Sequence, residues 1–285
     1  MARLFRSLLF VPGNNPRFLE KAKTLEADIV CFDLEDSVPD AEKANARKLI
    51  KVALQSRSQY TPDIYVRTNS PASGKIPDDL EQIVQKGLDG IVIPKVNSAK
   101  ELNKINKIIS RLEKKRKLKP IYLMPSIEST QGVVNTYEIA SANKRVVAVV
   151  FGVFDLLNDM GIEYTKQPEG AKYARAKIPL DAKATGVYAI DGIWQDLEDR
   201  EGLRQDCVIG KSLGYTGKSI IHPDQVSVAH EAFAPNKAEI DWAQKVCDTY
   251  IESTKKGKGA TTVDGKMIDE VHYKRAKALL DLVKN

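Results

Sequence analysis

Eight short blocks of aliphatic and β-branched residues punctuate the chain. They are SLLFV (7–11), DIVCFDL (28–34), DIYVR (63–67), GIVIPKV (90–96), PIYLMPSI (120–127), VVAVVFG (146–152), GVYAI (186–190) and GKSIIHP (217–223). Each is too short for an ordinary helix and apolar at consecutive positions, as a strand buried on both faces would be. Between them lie amphipathic stretches of helical length, at 16–26, 40–55, 98–115, 130–142, 170–185 and 197–213. Strands covered on both faces and separated by helices form a parallel sheet. Eight such units predict an α/β fold, a closed (β/α)8 barrel over residues 1–232, with an open doubly wound sheet as the alternative. No internal repeat or low-complexity segment is visible.

Residues 233–285 follow the last block and predict a C-terminal helical extension. Within it, STKKGKGA (253–260) reads as a flexible Lys/Gly connector. The chain then returns with TTVDGKMIDEVH (261–272) and a final amphipathic stretch, EVHYKRAKALLDLV, with His272, Ala276 and Leu279 or Leu280 on one face. Asp269 stands where it would cap that last helix.

The ends of the eight strands carry the chemistry. Pro12-Gly13-Asn14 follows the first strand, and Asp33, Glu35 and Asp36 the second. Arg67 and Asn69 end the third, Lys95 the fourth and Glu128 the fifth; Asp155, Asp191 and His222 end the last three. Any one of these reads as a cap or a surface charge. Gathered at one end of a barrel they predict a shared site, since the C-terminal rim is where this fold places catalysis. Glu128 and Asp155 come from adjacent strands with no His or Cys nearby, and suit a hard cation such as Mg2+ bound through oxygen. The same residues also suit a buried ion pair of Glu128 with Arg67 or Lys95, and an N-cap role for Asp155.

Composition narrows the class. The 285 residues are 42% hydrophobic and 29% charged, with net charge +6, which is ordinary globular usage. The basic run KINKIISRLEKKRKLKP (104–120) places Ile105, Ile108, Ile109 and Leu112 at helical spacing, so it reads as a helix with a solvated cationic face. No zinc finger, aromatic RNA-binding signature or basic tail supports a nucleic-acid partner. Three cysteines without a CxxC pair argue against a disulfide framework and for a reducing, cytoplasmic setting. The apolar start is too short for a signal sequence or a membrane span. Dinucleotide, Walker and G-x-S-x-G motifs are absent.

The segments RSLLFVPGNNPRFLEKA, DLEDSV, VRTN, PKV, IEST, FGVFDL, GYTGKSIIHPDQV and GKGATTVDGKMID occur in this order. In that order they resemble the citrate lyase β-subunit-like (HpcH/HpaI aldolase) enzymes, above all the malyl-CoA and citramalyl-CoA lyases, along essentially the whole chain. The resemblance implies a TIM barrel and a Mg2+ site at Glu128 and Asp155, with Mn2+ as substitute. It also implies cleavage of a β-hydroxyacyl-CoA thioester to acetyl-CoA and a small 2-oxo acid, pyruvate or glyoxylate. By the same resemblance Arg67 binds substrate oxygens. Phe10, Arg17 and Lys21 surround the CoA, and Ile221 and His222 contact substrate, His222 having a buried structural role as its alternative. Asp33, Glu35 and Asp36 organise the rim around the metal. Asp269 matches the aspartate that such lyases bring over a neighbouring subunit's barrel in a homotrimer or hexamer, where it would act as the catalytic acid–base; Val271 stands where many relatives have Pro. The competing readings are a citrate lyase subunit acting on a carrier-protein thioester, a malate-synthase or thioesterase reaction at the same site, and a basic nucleic-acid-binding protein.

Overall fold

The computed structural model describes residues 5–166 and 168–283, the last two by backbone alone. The ends of the two segments expected from sequence, at 1–4 and 284–285, lie outside the described residues. Two compact units are present, divided after His230.

The first unit is the barrel. Its strands are β1 (Ser7–Pro12), β2 (Ile29–Asp33), β3 (Asp63–Arg67), β4 (Gly90–Ile93), β5 (Tyr122–Ile127), β6 (Ala148–Phe151), β7 (Tyr188–Asp191) and β8 (Gly217–Ile220). All eight pair in parallel in sequence order, and β8 closes on β1 with Leu8 opposite Ser219. Consecutive strands must therefore be joined by crossovers, which the helices supply. These are α1 (Pro16–Lys21), α2 (Lys43–Gln55), α3 (Ile76–Ile83), α4 (Ala99–Arg116), α5 (Thr130–Val134), α6 (Thr136–Ala140), α7 (Val153–Asp159), α8 (Lys172–Thr185) and α9 (Arg200–Leu213), and α10 (Gln225–Phe233) follows β8.

The barrel is filled, not hollow. Leu8, Ile29, Cys31, Tyr65, Val92, Met124, Ala148, Val150 and Ile190 form its buried interior, with Phe10 packed against them. These inward residues alternate with outward ones that meet the helices, so each strand is apolar on both faces. Cys31, Cys207 and Cys247 are buried and unbridged. The basic run forms α4, which buries Leu102, Ile105, Ile109 and Leu112 and is capped by the Ser98 hydroxyl accepting the Glu101 amide.

Several boundaries depart from the sequence expectation. The stretch 130–142 is two short helices broken at Asn135, whose side-chain amide donates to the carbonyl of Asn97. That bond holds the chain out of helical register just after the β-branched pair Val133–Val134. The eighth strand ends at Ile220, so His222 lies beyond it in a turn.

The second unit contains α11 (Lys237–Lys255), β9 (Thr261–Val263), β10 (Lys266–Ile268) and α12 (Glu270–Val283). Asn236 and Glu239 form a reciprocal capping box on α11. The helix runs on through Lys255, which shortens the connector to 256–260. Asp264-Gly265, both at positive φ, then turn β9 back on β10 as a hairpin. Ala243, Val246, Cys247, Val263, Ile268 and Ala276 form this unit's own core, with Tyr250 stacked on Tyr273. Among the described residues, no helix is long and apolar enough to cross a membrane.

Candidate active site

At the C-terminal end of the barrel strands a cavity of about 490 Å3 opens, lined on one side by Asp33, Asp36, Arg67, Glu128 and Asp155. Strand alternation puts them there. Asp33 follows inward Ile29 and Cys31, Arg67 follows inward Tyr65, and Glu128 continues the row begun by Met124.

Asp33 and Arg67 are register partners on β2 and β3. Their side chains form a two-pronged pair, Nε to Oδ1 at 2.6 Å and Nη2 to Oδ2 at 2.7 Å, the geometry in which Arg is held most firmly. The Asp33 carboxylate also accepts the amides of Glu35 and Ser37 and the Ser37 hydroxyl. This turn curls the loop so that Glu35 and Asp36 face back over the rim. Burial would raise the Asp33 pKa, but Arg67 outweighs it and holds the carboxyl at about 2. Burial likewise disfavours the Arg67 cation, and Asp33 more than compensates, so its pKa is raised. The guanidinium lies over the Phe10 ring, 4.7 Å from its centre.

Lys95 closes the other side of the acidic cluster. Its Nζ lies 3.1 Å from Glu35, 3.4 Å from Asp36 and 3.3 Å from Asp155. Its backbone is left-handed, φ +54°, a strained state for a residue with a Cβ.

Glu128 is the member left without a partner. It is buried, and its Oε2 has no hydrogen bond. Burial first, then the neighbouring Glu35 charge, push its pKa up to about 8 against the pull of Arg67. Burial also lifts Glu35 to about 7. Gly152, at the end of β6, makes room for this carboxyl: a Cβ there would stand 2.8 Å from Glu128 Cδ and nearer still to its Cγ. Asp155 sits in the first turn of α7, one turn past Gly152. Five carboxylates thus face two cations, and the buried Glu128 among them is unsatisfied. A divalent cation fits that deficit. Among the described residues no three His, Cys, Asp or Glu side chains converge as a ready cage, so a cation here would draw further ligands from water or substrate, as Mg2+ does.

The other expected residues fall in different places. Ile221 lines the cavity and His222 does not. His222 is exposed, accepts the Asp224 amide at 3.2 Å and lies 3.5 Å from the Asp224 carboxylate, so the buried structural role is not seen. Arg17 and Lys21 are exposed on α1, outside the cavity lining. Asn69 bonds Asp79 of α3. Asp191 turns out of the barrel and, with Asp206, neutralises Arg175 and Lys218 in a buried quartet beneath α8 and α9. The inward neighbour Ile190 fixes that outward turn. Asp269 caps α12: its Oδ1 accepts the amides of Val271 and His272 and pairs with His272 Nδ1 at 2.7 Å. Gly152, Ser37 and the Phe10–Arg67 contact are not among the residues marked from sequence. A glycine between strand and helix in VVFGVFD was the signal for the first.

A model of the HpcH/HpaI aldolase/citrate lyase family matches residues 6–223. The chain belongs to this family. Two relatives span it almost end to end, each 35% identical. Citrate lyase subunit beta of Leuconostoc mesenteroides subsp. cremoris aligns over 284 residues, 98% of this chain and 93% of the relative. A (3S)-malyl-CoA thioesterase of Cereibacter sphaeroides (strain KD131) aligns over 279 residues, 98% and 94%. Among solved structures, protein CitE from Mycobacterium tuberculosis, in complex with magnesium, acetoacetate and coenzyme A, superposes with a TM-score of 0.81 at 25% identity, covering 99% of both chains. A citrate lyase from Burkholderia xenovorans superposes at 0.89 and 18% identity, a likeness of fold. The HpcH/HpaI match spans every strand of the barrel and every member of the acidic cluster.

Proposed function

We propose that this protein is a Mg2+-dependent acyl-CoA lyase. It cleaves a β-hydroxyacyl-CoA, such as citramalyl-CoA or malyl-CoA, reversibly to acetyl-CoA and pyruvate or glyoxylate. The observation that carries the reading is the buried, unpartnered Glu128 beside an Arg67 locked by Asp33. Such an arrangement suits a cation and an oxyanion-rich substrate together. The relatives named for citrate lyase and malyl-CoA thioesterase, and the CitE complex with magnesium and coenzyme A, support it.

In this reading Glu128 and Asp155 hold the metal, and Lys95 steadies Asp155 from the other side. Bound there, Mg2+ supplies Lewis-acid polarisation of the 2-oxo acid's oxygens. Arg67, preset by Asp33 and Phe10, stabilises negative charge as the carbon–carbon bond breaks. Phe10 and Ile221 provide apolar wall for the acyl group, and Arg17 and Lys21 on α1 meet the phosphates of CoA. Asp269 belongs to a C-terminal arm acting over the barrel of a neighbouring subunit in a homotrimer or hexamer. There it protonates the enolate carbon, and in condensation takes the methyl proton of acetyl-CoA. Thioester hydrolysis after condensation is the second reading, which the thioesterase relative favours.

The test is an assay of purified protein with Mg2+ against a panel of β-hydroxyacyl-CoAs and one citryl carrier-protein thioester. Acetyl-CoA and 2-oxo acid are detected separately from free CoA. Equal release of acetyl-CoA and 2-oxo acid supports the lyase; free CoA without 2-oxo acid supports hydrolysis; neither product from any thioester defeats both.

A further inference from the structure

Apart from the acidic cluster and its arginine, the cavity lining is largely apolar, built from Phe10, Phe151, Ile193 and Ile221 among others. One hydroxyl interrupts it. Ser219 on β8 lines the cavity, is 1% exposed, and its Oγ has no hydrogen-bond partner. The other neutral polar side chain of the lining, Ser37, is committed to Asp33. Ser219 and Ile221 are two residues apart and both line the cavity, while Lys218, just before Ser219, points out of the barrel to Asp191 and Asp206. In the closed strand order β8 neighbours β1, which carries Phe10, and lies away from β5 and β6, which position Glu128 and Asp155.

An unmade hydrogen bond on a buried hydroxyl costs about 1–3 kcal/mol. Folding tolerates that cost where a ligand supplies the missing partner. The lining residues that β8 and its neighbour β1 place beside Ser219, namely Ile221, Phe10 and Pro12, carry no charge of their own, so an uncharged acceptor on an apolar group suits that place. In the reaction proposed above, the carboxylate and ketone oxygens belong at the acidic end. The thioester carbonyl is the acceptor left for the apolar end.

We propose that Ser219 is a catalytic residue that donates its hydroxyl hydrogen to the thioester oxygen and stabilises the enolate. The inference rests on the lyase reading. In cleavage the β-hydroxyl proton passes to water and its carbon becomes the ketone of the 2-oxo acid. The electron pair of the broken carbon–carbon bond moves into the thioester, leaving negative charge on its oxygen, where the Ser219 O–H points. Proton return to the enolate carbon gives the acetyl thioester, so atoms and charge balance without an oxidant or reductant. The hydrogen bond strengthens as charge builds on that oxygen, and therefore favours the transition state over bound substrate.

The experiment compares Ser219→Ala with wild type in cleavage of the thioester that wild type turns over best, and in thermal unfolding without substrate. The expected result is a fall in kcat of about 10²-fold or more, the scale for one lost oxyanion donor, with KM within about threefold. The melting temperature should be unchanged or higher, because the lost hydroxyl had no partner. A kcat equal to wild type overturns the assignment. So does a melting temperature lowered by several degrees, which marks a structural hydroxyl. A wild-type protein without turnover overturns the lyase reading as well, whereas an active wild type with an equally active Ser219→Ala protein overturns only the role of Ser219.

Discussion

The Arg67 guanidinium rests on the face of Phe10, 4.7 Å from the ring centre, while Asp33 grips its edge with two hydrogen bonds. Face and edge together leave the cation little freedom to turn. A stacked, partly desolvated contact of this kind is worth about 0.5–2 kcal/mol. Phe10→Leu should therefore lower kcat/KM by about 2- to 30-fold while leaving the melting temperature within a few degrees. Asp33→Asn should do more, because it takes the two-bond carboxylate from a largely buried cation and leaves it Glu35 at 3.4 Å, a cost of up to about 3–5 kcal/mol. Urea unfolding of the two variants separates the effects: only the second should shift the midpoint strongly.

Gly152 and Glu128 form a second such pair. A Cβ at 152 would occupy the space of the Glu128 side chain, so Gly152→Ala should push the carboxyl aside without touching any charge. Mg2+ affinity by calorimetry should fall about tenfold or more, a loss of about 1.4 kcal/mol. Wild-type affinity would show that Glu128 does not bind the metal from this position.

Metal binding should depend on pH in a direction set by Glu128. Its carboxyl, raised to about 8 by burial and by Glu35, is protonated in the metal-free protein at neutral pH. A metal must displace that proton, so apparent affinity should rise with pH, by up to about tenfold per unit below about 8, and then level off. For the metal-free protein the sign is opposite. A carboxyl raised in the fold contributes stability below its unfolded value, near 4.5, and loses it as pH rises through about 8. Glu128→Gln should abolish Mg2+ binding and flatten both dependences. Chelation by EDTA should stop turnover, and Mg2+ should restore it.

His230 gives a pH dependence apart from the cluster. Its Nε2 lies 2.8 Å from Ser7 Oγ, which also accepts the Asp28 amide. Burial lowers its pKa and Arg6 adds to this, against the raising influence of Asp28 and Glu26. A histidine depressed in the fold contributes stability above its unfolded value, about 6.5, and loses it as pH falls through the lower folded value. With the opposing carboxyl removed by Glu128→Gln, the urea midpoint of the metal-free protein should thus drop between pH 7.5 and pH 5, and adding His230→Gln should make the drop smaller. An equal drop in both would place the titration elsewhere.

Asp269→Asn should fold and bind Mg2+ normally yet lose about 10²-fold or more in kcat, the scale of a missing acid–base group. Subunits co-refolded from Asp269→Asn and Glu128→Gln should regain part of the wild-type rate, since some intact barrels then meet an intact arm. No recovery in verified mixed oligomers would put Asp269 over its own barrel. Near-normal activity of Asp269→Asn alone would leave it only its place as the cap of α12.

Much of the barrel was legible because its signal is local: eight apolar blocks, each short, each followed by a helix. What a strand end does there was legible only where side-chain parity was followed. Asp33 and Glu128 continue inward rows; Asp191 follows inward Ile190, so alternation alone sends it outward to Lys218 and Arg175. His222 was misplaced because the apolar pair Ile220–Ile221 extended the strand on paper, whereas pairing stops at Ile220. The break at Asn135 depends on a carbonyl 38 residues away in the chain, and no local pattern carries that. Ser219 gave no sequence signal, since a serine in a strand is unremarkable until its partner is found missing.

Lys95 holds two properties that selection must keep together. Its left-handed backbone would be relieved by glycine, and its ammonium group, reaching Glu35, Asp36 and Asp155, would be lost by the same change. The substitution that relaxes the chain is therefore the one that disarms the cluster. Position 95 is a place where evolving toward a sturdier protein and evolving toward a working one lead in opposite directions. Glycine there isolates the backbone's share of the conflict, and methionine the charge's.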